Sequence, residues 1–124
     1  MLTACSLNRA MSQAASQAAA FYREVVASGK VWTIRDAGGF PAPRSGSGHR
    51  SMPFWSSLAG VERIIKQAPA YAGFESVELT LEEFRDTWLG RLEKDQLHVG
   101  LNWTGPRATG YDIRASTVRQ VLAK

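Results

Sequence analysis

The chain has 124 residues, of which 44% are hydrophobic and 21% are charged, and this length fits a single compact domain with one core. Its net charge of +4 is too small and too dispersed to indicate nucleic acid as a partner. One cysteine, Cys5, excludes an intramolecular disulfide and a cysteine-built zinc site. No segment approaches the roughly 18 consecutive apolar residues of a membrane span. The sequence therefore predicts a cytoplasmic protein that has no membrane partner.

The N-terminal half predicts a helix followed by extended chain. We expect residues 1–10 to be disordered or frayed and residues 11–124 to form one domain. An Ala- and Gln-rich helix is predicted over residues 8–28, with Gly29 available to end it. Residues 31–35 are β-branched and aromatic, and the turn residues after them predict a hairpin. The prolines in residues 40–43 permit at most an edge strand there. The helical face predicted to contact the core comprises Met11, Ala15, Ala18, Tyr22 and Val25.

The C-terminal half predicts helices and strands in alternation. Extended residues 51–55 lead to a helix that Ser56 or Ser57 caps and Pro69 ends. A strand over residues 75–79 leads to a helix that opens with a capping box at Thr80 and Glu83. After a strand over residues 97–103 and a short extended segment over 111–113, Ser116 is expected to cap a last helix over 117–123. In the strand over 97–103, one face is predicted to carry Leu97, Val99, Leu101 and Trp103, and the other His98, Gly100 and Asn102.

These elements together predict an α+β fold. Strands are interspersed with helices, and short turns separate several of them. We expect a mixed or mainly antiparallel sheet with helices packed on one face.

The segment LNWTGPRATG, residues 101–110, holds half of a phosphate-binding P-loop. The complete motif requires lysine and then serine or threonine where Tyr111 and Asp112 stand, and Pro106 removes a backbone donor, so a nucleotide-hydrolysing P-loop is excluded. Arg107 and nearby backbone N–H groups remain able to hold a carboxylate or phosphate. The alternative is that the glycines only supply turn geometry, while Arg107 is solvated or pairs with an acidic side chain.

The sequence predicts no catalytic residue, metal or cofactor. His49 lies in a basic loop and His98 on the polar face of a strand, and two isolated histidines specify no geometry. Serine-hydrolase and zinc-protease motifs are absent from the sequence. A weak hydrolase or transferase that uses His98 with Asn102 stays open as an alternative.

Four segments resemble an uncharacterised bacterial family, domain of unknown function 2750. The resemblance covers about residues 21–122, and it implies no established activity. A looser similarity points to the N-terminal domain of enhanced-serine-sensitivity proteins, and small α+β folds of this kind also occur among toxin-neutralising immunity proteins. The segments that carry the resemblance are VWTIRDAGGFPAP, MPFWSS, PAYAGFESVELTLEEF and WLGRLEKDQLHVGLNWTGPRATGYDI.

Binding is the function that these residue types favour. The leading hypothesis is a non-enzymatic module that docks a protein partner through tryptophan, tyrosine and arginine side chains. The alternatives are a small-anion or nucleotide-ligand domain that uses the turn over residues 102–110, and an immunity-type protein. The predicted binding residues are Trp55, Asn102, Trp103, Arg107 and Tyr111.

Overall fold

The computed structural model describes residues 16–45 and 48–123. Residues 16–28 are helical and form α1, which ends at Gly29 as predicted, because this glycine adopts φ 72° and its N–H donates to the Val25 carbonyl at 2.8 Å. The predicted frayed segment, the helix start, Met11 and Ala15 lie outside the described residues. Of the predicted core face, Val25 is fully buried, and so is Phe21, which the sequence analysis missed.

Strand β1, Lys30–Arg35, pairs antiparallel with β3, Glu75–Thr80, along its whole length. The predicted turn is present, since Asp36 and Gly39 exchange backbone hydrogen bonds. The predicted hairpin is wrong beyond that turn, because residues 40–43 form no strand. Two of those four residues are prolines, which have no N–H to donate. Strand β3, in contrast, can form backbone hydrogen bonds with β1 along its whole length.

Three further strands form a mixed sheet in the order β2–β4–β5. Strand β2, Ser51–Phe54, runs parallel to β4, His98–Thr104, and β4 pairs antiparallel with β5, Thr109–Arg114. One bridge connects this sheet to β1, because Trp32 and Trp55 exchange backbone hydrogen bonds at 2.9 and 2.7 Å. The predicted α+β class with a mixed sheet is confirmed.

Helix α2, Leu58–Gln67, begins after Ser57, whose Oγ accepts the Gly60 N–H at 3.0 Å, and a short 3₁₀ turn, Pro69–Tyr71, follows it. This cap is one of the two that the sequence allowed. No helix in the described part of the chain is long and apolar enough to cross a membrane.

Helix α3 extends over residues 81–94 and changes its winding in the middle. The predicted capping box is confirmed, since Thr80 Oγ1 accepts the Glu83 N–H and the Glu83 side chain accepts the Thr80 N–H, both at 3.0 Å. The segment Phe84–Trp88 is π-helical. The last helix, α4, spans Ala115–Leu122, so its predicted capping by Ser116 is wrong: the chain turns helical at Ala115, and no side chain caps this end.

The side chains of alternate strand residues belong to two separate hydrophobic clusters. The larger cluster lies against α1, α3 and α4, which contribute side chains such as Phe21, Phe84 and Val118. We call the second one the tryptophan cluster, and the helix that contributes side chains to it is α2. Its buried members are Trp32, Ile34, Trp55, Val61, Ile64, Ala68, Tyr71 and Trp103.

Candidate functional site

Strand β4 loses its regular alternation at Asn102. This residue adopts φ 54°, in the left-handed region, and the register with β5 shifts between Leu101 and Thr104. The indole of Trp103 then lies over Gly100, where an added Cβ would be 2.3 Å from Cε2. The prediction that Trp103 shares a face with Leu101 is therefore wrong, because one left-handed residue reverses the direction of the next side chain.

The two tryptophans of this region are held by backbone carbonyls. Trp55 Nε1 donates to the Trp103 carbonyl at 2.8 Å, and Trp103 Nε1 donates to the Tyr111 carbonyl at 3.0 Å. Trp55 is 1% exposed and Trp103 is 3% exposed. Both indoles thus have a satisfied polar group and a fixed position in the core.

Asn102 connects the end of β4 to the residue that precedes the α2 cap. Its Oδ1 accepts the Ser56 N–H at 2.9 Å, and its Nδ2 donates to Ser56 Oγ at 3.0 Å. Ser56 Oγ in turn donates to the Glu24 carboxylate on α1. Three chain segments that are far apart in sequence therefore meet in one polar network beside the tryptophan cluster.

A cleft of about 370 Å³ opens between α1 and α2 above this network. We call it the α1/α2 cleft. Trp55 and Trp103 lie at its base with Ser56 and Asn102, while both helices add polar side chains to its walls. Among the residues that the structure describes, its charged lining residues are Glu24 on α1 and Arg63 on α2. The volume is within the range of roughly 300–1,000 Å³ that is typical of small-molecule sites.

The structure separates the five predicted binding residues. Trp55, Asn102 and Trp103 line the α1/α2 cleft. Arg107 is exposed in the turn over residues 105–108 and does not line the cleft, and Tyr111 packs against the larger cluster instead. The predicted docking surface of aromatic and arginine side chains is therefore not assembled, because its tryptophans are buried and its tyrosine contacts a different cluster.

The sequence analysis missed most polar residues of the cleft, among them Ser56, Glu24 and Arg63. Ser56 was considered only as a helix cap, and Glu24 and Arg63 resemble ordinary charges on solvated helix faces. A weak signal for Ser56 existed, because two of the four segments that carry the family resemblance, MPFWSS and the one that contains LNWTG, meet here. Nothing in the local sequence around Glu24 or Arg63 distinguishes them from neighbouring charged residues.

A second cleft, of about 310 Å³, lies at the opposite end of β4. The rings of His49 and His98 stack there with centroids 4.1 Å apart, and His98 Nδ1 is 3.5 Å from Asp112 Oδ2. Ser45 and Ser51 donate to the same carboxylate oxygen at 2.8 and 3.0 Å. No three metal-binding side chains come together among the residues that the structure describes.

This second cleft bears on the alternative hypothesis of a weak hydrolase or transferase. His98 lines it, whereas Asn102 lines the α1/α2 cleft. The two side chains that this hypothesis combines therefore lie in different clefts, and the structure does not bring them together.

Comparison with known proteins identifies a family that matches most of the chain. The family described as "Protein of unknown function (DUF2750)" matches residues 18–122 of the chain. No curated protein matches it. The looser similarity to enhanced-serine-sensitivity proteins is not supported by the family match and stays a hypothesis.

Proposed function

Because the chain belongs to DUF2750, a family of proteins of unknown function, we propose a role from its geometry: the protein binds a small polar molecule in the α1/α2 cleft. The observation that carries this proposal is the Glu24–Ser56–Asn102 network at the base of a cleft of small-molecule size. A concave site with an apolar base and a few convergent polar groups is the usual form of a ligand pocket.

The backbone of Asn102 supports the same proposal. Its left-handed conformation is sparsely populated by residues other than glycine, although asparagine tolerates it better than most, and residues in such conformations are concentrated at binding sites. Here the conformation directs the amide of Asn102 toward Ser56 and the indole of Trp103 toward the base of the cleft. The irregular backbone thus builds the site rather than merely ending a strand.

This proposal replaces the docking of a protein partner as the leading function. Hot spots of protein interfaces are side chains that a partner can reach, and the indoles of Trp55 and Trp103 are almost completely buried. The turn over residues 105–108, which carries Arg107, does not line the cleft. The cytoplasm, inferred from the sequence, remains the compartment in which we propose that the protein acts.

The test is protein-observed NMR with a library of free amino acids, nucleosides, sugars, and short-chain acids and amines. We expect at least one compound to shift backbone amide signals of Ser56, Gly60 and Asn102. Ala20→Leu places a larger side chain in the cleft from α1 and should abolish that response.

The matched control is Ala19→Leu, which makes the same change on the exposed face of α1, outside the cleft. It should bind as the wild-type protein does. Compounds that shift only amides elsewhere, or binding that survives Ala20→Leu unchanged, would contradict the proposal.

A further inference from the structure

The two charged residues of the α1/α2 cleft have opposite signs and stand on different walls. Glu24 extends from α1 and Arg63 from α2. They do not pair with each other, and neither takes part in any ion pair of the described residues. The same cleft therefore presents a negative group and a positive group that form no ion pair with each other.

The acidic side of the cleft can accept hydrogen bonds from a cation. One carboxylate oxygen of Glu24 accepts the Ser56 hydroxyl, so the carboxylate is held in place while its second oxygen keeps its lone pairs. An ammonium group carries three N–H donors and no acceptor, which suits such a carboxylate.

The basic side of the cleft suits an anion. The guanidinium of Arg63 offers paired N–H donors that match the two oxygens of a carboxylate. A ligand carboxylate therefore suits the side of the cleft on which Arg63 stands.

We propose that the ligand of this cleft carries both an ammonium and a carboxylate, as a free α-amino acid does. This inference rests on the proposed function and specifies its ligand class. The ammonium lies toward Glu24 and the carboxylate toward Arg63. A zwitterion contacts both charged side chains, which do not pair with each other in the structure, whereas a singly charged ligand would leave one of them without a partner.

Isothermal titration calorimetry with the free L-amino acids tests this assignment. For the amino acid that binds most tightly, the N-acetyl derivative removes the ammonium and the carboxamide removes the carboxylate. Each derivative should bind more weakly than the free amino acid, on the order of tenfold, because each loses one charge-assisted contact.

Two substitutions identify which wall recognises which group. Glu24→Gln should weaken binding of the free amino acid but leave the N-acetyl derivative unaffected, and glutamine can still accept the Ser56 hydroxyl. Arg63→Gln should weaken binding of the free amino acid but leave the carboxamide unaffected. In each case we expect a loss of about tenfold.

The chain offers matched controls on the same two helices. Glu62→Gln on α2 and Arg23→Gln on α1 make the same changes of net charge at exposed positions outside the cleft, and both should bind as wild type does. If they weaken binding as much as the cleft variants, the effect is one of overall charge and the assignment of the two walls is wrong.

The results also separate this inference from the proposed function. If a compound of another class binds in the cleft and no free amino acid does, the inference of a zwitterionic ligand is wrong, but the proposal of a small-molecule site is supported. If no compound binds there at all, both fail. Circular dichroism and thermal melts of every variant show whether a loss of binding reflects a loss of fold.

Discussion

The two hydrophobic clusters of this protein both receive residues from β1 and β4, but they differ in the regularity of the β4 segment that supplies them. The larger cluster receives regularly alternating residues such as Val99 and Leu101, and side chains from three helices pack against it. The tryptophan cluster receives its residue from the end of β4, Trp103, only because the strand breaks its alternation at Asn102. The α1/α2 cleft opens beside the irregular end of β4, and the second cleft lies at the regular end, where side chains of the larger cluster line it.

This difference between the clusters shows how a small protein can form a polar cleft next to a hydrophobic core that stays packed. The indoles of Trp55 and Trp103 supply large buried area, and their N–H groups bind backbone carbonyls, so the tryptophan cluster tolerates polar neighbours. Ser56 and Asn102 sit directly beside it. If this interpretation is right, substitutions at the irregular end of β4 should affect both stability and ligand binding, whereas changes in the larger cluster should affect stability alone.

The largest effect is expected at Gly100. A Cβ at this position would lie 2.3 to 2.6 Å from three atoms of the Trp103 indole, so Gly100→Ala must displace the ring and break its hydrogen bond to Tyr111. We expect a loss of about 3 kcal/mol or more in the free energy of unfolding, together with loss of binding in the cleft. Urea denaturation followed by tryptophan fluorescence measures the first quantity.

Gly90→Ala is the matched control for that change. Gly90 lies in α3, and an added Cβ there meets no atom within 4 Å. Alanine should stabilise the helix by roughly 0.5–1 kcal/mol, because it restricts the unfolded chain and favours helix. Equal losses in the two variants would show that the contact between Gly100 and Trp103 does not matter for stability.

Asn102 should show the second-largest effect, and two substitutions separate its two roles. Asn102→Ala removes both hydrogen bonds to Ser56 and keeps a Cβ at a left-handed position, which we expect to cost about 2 kcal/mol. Asn102→Gly removes the same bonds but accommodates the backbone, so it should be more stable than the alanine variant by about 1 kcal/mol.

Ligand binding should not follow this order of stability. Both variants lack the amide that holds Ser56, so both should lose binding although their stabilities differ. If the glycine variant binds as wild type does, Asn102 matters through its backbone conformation alone and the polar network is not part of the site.

The features that the sequence predicted correctly depend on neighbouring residues. The capping box of Thr80 and Glu83 forms within one helical turn, and the end of α1 needs only Gly29 and its freedom to adopt positive φ. The alternation of Val99 and Leu101 likewise follows from the pleat of a strand. These local patterns were enough to predict the α+β class and most of its elements.

The candidate site could be predicted only in part, because its contacts are long-range. Ser56 meets Asn102 across 46 residues and Glu24 across 32, and no periodic pattern encodes either contact. The sequence analysis placed Trp103 on the wrong face of β4 because it assumed strict alternation of side chains. A left-handed residue such as Asn102 breaks that alternation, and the sequence pattern does not reveal it. Three of the five predicted site residues still line the cleft, since aromatic residues and asparagine are common where a backbone turns irregular.

The smallest effect is expected in the larger cluster, at Tyr22. Its ring packs against that cluster, but its buried hydroxyl has no hydrogen-bond partner among the described residues. Tyr22→Phe removes this unsatisfied group, so the variant should be as stable as wild type or more stable by about 1 kcal/mol at pH 7. Its binding in the α1/α2 cleft should be unchanged, since Tyr22 does not line that cleft.

The pH dependence of the same variant gives an independent check. Burial, and to a smaller extent the charge of Tyr111, raises the pKa of Tyr22 above its usual value of 10.0. The unfolded chain therefore loses this proton at lower pH than the folded protein does. The contribution of Tyr22 to stability is complete below pH 10.0 and is lost as the pH rises through the folded-state pKa. Tyr22→Phe removes this loss, so its stability relative to wild type should increase in that alkaline range, and a constant difference from pH 7 upward would show that the hydroxyl is not desolvated.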